Sequence, residues 1–267
     1  MANTNVEGMT RKILPVVYVI DTSGSMIDDG KIGAVNDAMR EAVDLLRDVS
    51  DNNANAEVRV AVLKFSTAAD WEKPDLVPLD DFFWNDLSAG GTTQVARALE
   101  AIDEKFSTKQ LFNSDVGYKT PVVIFMSDGE PTDPGEWEKK LDWVMNNNKW
   151  FRISIKVAIA IGDDADRACL TKLVGNSESV VTVRDIDTLK SLIKAVTINT
   201  IMAGETRNVK PGSNAGKDLM EKAVEEVKGT TGGADPFWDN WNQSSSGTST
   251  TNPPSGDGWN GDNGGWN

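Results

Sequence analysis

The chain has 267 residues, 27 Lys plus Arg against 41 Asp plus Glu, a net charge of −14, no histidine and a single cysteine. Its acidity repels phosphate backbones, so nucleic acid is not an expected partner, whereas cations and basic protein surfaces are. The missing histidine excludes Ser-His-Asp and Cys-His catalysis and any His-ligated zinc site.

The first fourteen residues, "MANTNVEGMTRKIL", contain no apolar core of the kind a signal peptide needs. Cys169 can form neither an intrachain disulfide nor a Cys-x-x-Cys site, and it sits at helical spacing in "DRACLTKL", which predicts a packed thiol. Lack of disulfides fits a reducing compartment, and a cytoplasmic location is the expectation. No stretch approaches the ~18 apolar residues of a membrane span, so no membrane partner is expected.

Strands and helices then alternate along the chain. "PVVYVID" (15–21) reads as a strand buried on both faces. In "KIGAVNDAMREAVDLLRDV" (31–49), Ile32, Val35, Met39, Ala42, Leu46 and Val49 form one helical stripe. "AEVRVAVLKFS" (56–66) is a strand, and the two prolines of "WEKPDLVPL" (71–79) predict a short edge strand or loop. "TTQVARALEAIDEKF" (92–106) is a helix and "PVVIFMSD" (121–128) a second buried strand ending on an acid. "PGEWEKKLDWVMNNN" (134–148) predicts a helix, "FRISIKVAIAIGDD" (151–164) a strand and "ADRACLTKLVG" (165–175) a short helix. "SVVTV" (179–183) and "DIDTLKSLIKAVTINTIM" (185–202) complete the pattern as strand and helix.

Repeated strand–helix units predict an α/β fold: a doubly wound, mostly parallel central sheet with helices on both faces. The expected organisation is a flexible N-terminus over 1–12, one domain over 13–203, an extension with a short helix over 204–229, and a disordered tail over 230–267. The tail is rich in Gly, Ser, Thr, Asn and Asp and cannot bury enough apolar surface to offset its ordering entropy. Its Trp238, Trp241, Trp259 and Trp266 are either solvated or anchors for a partner, and Asp235 or Asp239 is a candidate ligand for a metal in its own or a neighbouring molecule.

In doubly wound sheets ligands bind beyond the carboxyl ends of the strands, where Asp21 and Asp128 fall. "VIDTSGSM" (19–26) ends a buried strand on Asp21, followed at alternate positions by Ser23 and Ser25. An aspartyl-phosphate site would need an acid at position 23. An aspartic protease would need a second Asp-Thr-Gly loop in an all-β setting. A nucleophilic serine would need a base, and no phosphate-binding glycine loop is present. A polar turn that caps the next helix remains possible on this stretch alone. A metal cradle accounts for more, because alternate residues of a tight loop turn their oxygens inward together. "AGGTTQVARAL" (89–99) and "MSDGEPTD" (126–133) offer further oxygens at the same sheet edge.

"DTSGSM", a Gly-Gly-Thr segment opening a helix, "SDGEPTD" after a buried strand and "AIAIGDDAD" before a short helix together resemble the von Willebrand factor A family. That resemblance implies a metal-ion-dependent adhesion site in which Ser23, Ser25 and a threonine hold Mg²⁺ or Mn²⁺, with Asp21 and Asp128 behind them. The family's spacing to the following helix favours Thr93; Thr92 is one residue out of step, an offset that a loop could absorb. "SDGEPTD" and "IAIGDDAD" most resemble the bacterial tellurium-resistance proteins of the TerY type. This implies an intracellular, non-enzymatic module that binds a partner's Asp or Glu in a stress-response or phosphorylation-signalling system, beside a Ser/Thr kinase and a protein phosphatase. The rival readings are a metal-assisted hydrolase and an adaptor of a ring ATPase.

Overall fold

The computed structural model describes residues 11–51, 56–72, 75–205 and 214–230. The expectations for residues 1–10 and for the tail, with its four tryptophans, Asp235 and Asp239, fall outside the described residues.

Seven strands form one sheet: β1 (Lys12–Asp21), β2 (Ala56–Phe65), β3 (Ala69–Trp71), β4 (Val77–Pro78), β5 (Val122–Ser127), β6 (Ile155–Ile161) and β7 (Val180–Val183). Their order is β3-β2-β1-β5-β6-β7, with β4 also paired to β2. Strands β1, β2, β5, β6 and β7 run parallel, while β3 and β4 pair antiparallel to β2. Pro78, in β4, thus falls where expected, at the edge, because proline cannot donate to a central ladder, while Pro74 lies outside the described residues.

The helices are α1 (Lys31–Asp51), α2 (Val95–Lys105), α3 (Glu136–Asn147), α4 (Lys149–Ile153), α5 (Arg167–Val174), α6 (Ile186–Glu205) and α7 (Ala215–Thr230). Alternation along β1 sorts the core into two layers. Leu14, Val16, Tyr18 and Ile20 face Val35 and Met39 of α1 and Leu192 and Val196 of α6. Ile13, Val17 and Val19 face Leu99 and Ile102 of α2, Trp137 of α3 and Leu170 of α5. Helices therefore cover both faces, which is why β1 is apolar at every position from Ile13 to Ile20 rather than alternating.

One local difference from the sequence reading has a clear cause. The segment 151–164 begins as the short helix α4, because Asn148 Oδ1 accepts the Phe151 N–H at 3.1 Å and starts a turn before the strand. Helix α7, read as an extension, is built into the first core layer: Leu219, Met220, Val224 and Val227 are all buried there. At roughly 1.5–3 kcal/mol per large apolar side chain, that burial binds the helix to the domain. Gly216 permits the close fit, since a Cβ there would lie 2.7 Å from the Lys156 carbonyl oxygen.

Sheet order reverses at the β1–β5 pair. From β1 the chain adds strands on one side, then returns to add β5, β6 and β7 on the other. The two crossovers leave a crevice beyond the carboxyl ends of β1 and β5. Asp21 closes β1, and Ser127 and Asp128 close β5, so the topology delivers these side chains to one crevice.

Candidate metal centre

Three loops build the crevice, and backbone hydrogen bonds fasten them together. Thr22 N–H donates to the Phe65 carbonyl at 2.7 Å, Gly90 N–H to the Thr22 carbonyl at 2.8 Å and Gly24 N–H to the Gly91 carbonyl at 2.9 Å. The third loop clamps the second. Thr132 donates to the Thr93 carbonyl through its N–H at 2.8 Å and its hydroxyl at 3.1 Å. Asp133 accepts the N–H groups of Val95 at 3.2 Å and Ala96 at 2.7 Å, capping α2 from a distance.

Asp21 is fully buried. Its Oδ1 accepts the Ser23 N–H at 2.8 Å and its Oδ2 the Ser127 hydroxyl at 2.6 Å. Burial raises its carboxyl above the usual range, and the donors from Ser127 and Ser23 oppose that rise. Ser23 Oγ lies 3.1 Å from Ser25 Oγ, and Ser25 donates to Asp128 Oδ1 at 2.8 Å. Asp128 Oδ2 accepts from the Lys31 ammonium at 2.7 Å. A Cβ on Gly129 would stand 3.2 Å from Ser25 Oγ and 3.3 Å from Thr93 Oγ1, so those two hydroxyls converge on the same point beside the Gly129 backbone. A side chain there would have to push both hydroxyls back by a few tenths of an ångström.

The structure therefore brings Asp21, Ser23, Ser25, Thr93 and Asp128 to one place. Thr93 is buried beside Ser25, whereas Thr92 is exposed and turned to Thr67: its N–H donates to Thr67 Oγ1 at 3.1 Å. A cleft of about 580 Å³ opens over Ser25, Thr93, Asp128 and Gly129, with Glu130 and Arg167 also in its wall. Of the acids in "AIAIGDDAD", Asp163 pairs with Arg184, Asp164 lines the cleft, and Asp166 Oδ1 caps α5 by accepting the Cys169 N–H at 2.9 Å. Cys169 is buried, and burial pushes its thiol up, as a packed thiol requires.

Sequence reading did not single out Lys31, Ser127, Thr132 or Asp133. Ser127 and Asp133 stand inside the quoted "MSDGEPTD", so their proximity was visible, but not which atoms they would hold. Lys31 belongs to the next helix, and nothing in its spacing points back to Asp128.

The donor set fits a hard divalent cation. It consists of hydroxyl and carboxylate oxygens with no nitrogen or sulfur, the kind of site that suits Mg²⁺ or Mn²⁺. Among the described residues there is no cluster of three or more His, Cys, Asp or Glu placed to hold a metal. Any cation here would therefore meet mainly hydroxyl oxygens.

Comparison with known proteins follows the same lines. A human relative, the collagen alpha-6(VI) chain, is 30% identical over 197 residues, which is 70% of this chain and 8% of that one. A von Willebrand factor type A structure from Catenulispora acidiphila superposes with a TM-score of 0.53 at 20% identity, covering 71% of this chain and 43% of the other. Proximal thread matrix protein 1 from the mussel byssus, a structure with a zinc-occupied metal-ion-dependent adhesion site, gives 0.50 at 18% identity, covering 74% and 47%. The chain thus spans less than half the length of each of these relatives. Residues 16–195, which run from β1 into α6 and include every loop of the crevice, match the von Willebrand factor type A domain; the chain belongs to that family.

Proposed function

We propose that this chain is a divalent-cation-dependent protein-binding module that captures an Asp or Glu side chain of a partner protein at the crevice. The observation that carries the reading is the convergence of Ser25 and Thr93 hydroxyls beside Gly129, with Ser23 adjoining and two buried carboxylates behind. Ser23, Ser25 and Thr93 would hold the ion, with Asp21 and Asp128 in support. Bound there, Mg²⁺ or Mn²⁺ would supply a Lewis-acidic position suited to a hard anionic oxygen.

The chain's own residues do the rest. Asp21 fixes the Ser23 backbone, Ser127 fixes Asp21, and the Thr132–Asp133 clamp holds Thr93 at the mouth. The cleft over these hydroxyls is open, with room for a side chain presented by another surface. Binding without turnover is favoured by the absence of histidine and by the engagement of both buried carboxylates with donors. The zinc held by the mussel protein at the corresponding kind of site supports a divalent ion. The TerY-like motifs support a cytoplasmic setting beside a kinase and a phosphatase in stress signalling, and the net charge of −14 argues against nucleic acid as the direct partner.

The test is calorimetric titration of Mg²⁺ and Mn²⁺ into the full chain, followed by partner co-purification with cation or with chelator. Saturable binding is expected, with partner retention only in cation. Asp21→Asn, which removes the charge behind Ser23, should weaken cation affinity by about 10–100-fold. Absence of cation binding at millimolar concentration, or equal partner retention in chelator, would overturn the reading.

A further inference from the structure

We propose that Lys31 is a resident counter-ion of the metal centre: its ammonium occupies the Asp128 carboxylate when no divalent cation is bound, so that cation binding is an exchange. The inference rests on the metal-binding reading above and adds a residue that sets its affinity.

Three observations carry it. The ion pair is short and sheltered. Lys31 Nζ stands 2.7 Å from Asp128 Oδ2, the Asp128 side chain has no exposed surface and that of Lys31 is 14% exposed. The other carboxylate oxygen of Asp128 accepts the Ser25 hydroxyl at 2.8 Å, which ties the lysine to the cradle through a single residue. The position is also unfavourable for a lysine on local grounds. Lys31 is the first residue of α1, where the helix dipole presents its positive end and acidic residues are preferred; the first turn has none. A cation placed against the dipole is accounted for by what it pairs with, not by the helix.

Lys31 also has somewhere to go. Its stem passes Gly162, where a Cβ would lie 3.5 Å from Cε. It lines a second cleft of about 220 Å³ beyond β6 and β7, whose wall includes Asp29 and Asp164. Asp164 belongs to the walls of both clefts, and the Lys31–Asp128 pair sits between them. Rotation of the lysine side chain would trade one carboxylate for another without opening the core.

The charge balance gives the direction. Asp21 and Asp128 contribute two formal negative charges and Lys31 cancels one. Removing that positive charge raises cation affinity, and because the lysine side chain can swing away as the cation enters, the gain is on the order of tenfold to a hundredfold, well below the Coulomb energy of fixed charges a few ångströms apart at an effective dielectric near 20. The same change leaves Asp128 buried without a counter-ion, which destabilises the cation-free protein.

The experiment compares wild type, Lys31→Met and Lys31→Arg by Mg²⁺ and Mn²⁺ calorimetry, with thermal melts in chelator and in cation. Expected are tighter binding by Lys31→Met, a lower melting temperature than wild type in chelator, and a larger rise on adding cation; Lys31→Arg should resemble wild type. Equal cation affinity in wild type and Lys31→Met would overturn the counter-ion role while leaving the metal reading intact. Silence from all three would overturn the metal reading and the inference together. Should Lys31→Met fail to fold, amine labelling of wild type, read by peptide mass spectrometry, decides the matter. Labelling of Lys31 should be faster with Mg²⁺ than with chelator, and an unchanged or slower rate would overturn the exchange.

Discussion

The two ends of the sheet bury charge in opposite ways. At the carboxyl ends of β1 and β5, Asp21, Asp128 and Lys31 lie together, and every charge meets a donor or a counter-ion. At the other end, Lys156 near the start of β6 is 8% exposed and has no carboxylate partner among the described residues. Its ammonium donates to the Ser154 carbonyl at 3.0 Å and stands 4.9 Å from the centre of the Phe151 ring. Burial pushes its pKa down to about 8. One end keeps its charges by pairing them and leaves room for a further ion. The other weakens its charge by favouring loss of a proton.

The largest effect expected from breaking this contrast is at Lys156. An ordinary lysine titrates near 10.4, so between about 8 and that value the unfolded chain holds a proton that the folded chain does not. Stability therefore rises with pH across this window, by up to roughly 3 kcal/mol, and the cost of burying the charge is fully present below it. Lys156→Met should stabilise the protein at pH 7 by a similar amount and flatten the rise. Urea denaturation at pH 7, 8.5 and 10 measures both. Wild-type and mutant curves that run parallel across that range would show that Lys156 is solvated and that the two ends do not differ as described.

How much of this was legible follows from the same contrast. The apolar runs at 16–20 and 122–126 have no polar face to show, which announces a sheet covered on both sides, and the acid that ends each run marks the sheet edge. The Asp21–Ser23–Ser25 spacing points to inward-facing oxygens because alternation within a loop is a local property. Lys31 and Lys156 were not legible. Each lies among residues of ordinary helix or strand character, and its significance depends on what another segment brings to it: Asp128, 97 residues on, for the first, and the cover of Phe151 and Ser154 for the second. The start of α4 was missed for a related reason, since the alternating Phe151 and Ile153 suit a strand and only the Asn148 cap decides otherwise.

A smaller effect is expected at Asp133, an acid at the crevice end that serves a helix. Its carboxylate accepts two N–H groups of α2, at 3.2 and 2.7 Å, directly after Thr93. Asp133→Ala should cost about 1–2 kcal/mol in denaturant unfolding, the range for losing a helix-capping acceptor. It should also weaken Mg²⁺ binding, because the turn that aims Thr93 is loosened. Asp133→Asn keeps an acceptor oxygen and should recover much of the stability. A loss of stability in Asp133→Ala with unchanged cation affinity would separate the clamp from the centre.

The smallest effect is expected midway between the ends, where burial is equally complete but no charge is involved. Tyr18 in β1 is fully buried, and its hydroxyl lies 2.7 Å from Thr197 Oγ1 of α6. Thr197 spends its own proton on the Ile193 carbonyl at 2.7 Å, so the tyrosine must be the donor in the pair. Burial raises the phenol above its ordinary value, which keeps it a neutral donor throughout the physiological range. Tyr18→Phe removes that donor but strands no proton, because Thr197 still donates to Ile193. The expected cost is one neutral hydrogen bond, about 1 kcal/mol, with no pH dependence between 6 and 9 and no change in cation affinity. A loss well above the range expected for Asp133→Ala, or a change in cation affinity, would mean that the β1–α6 contact is coupled to the crevice, and the two ends could no longer be treated as independent.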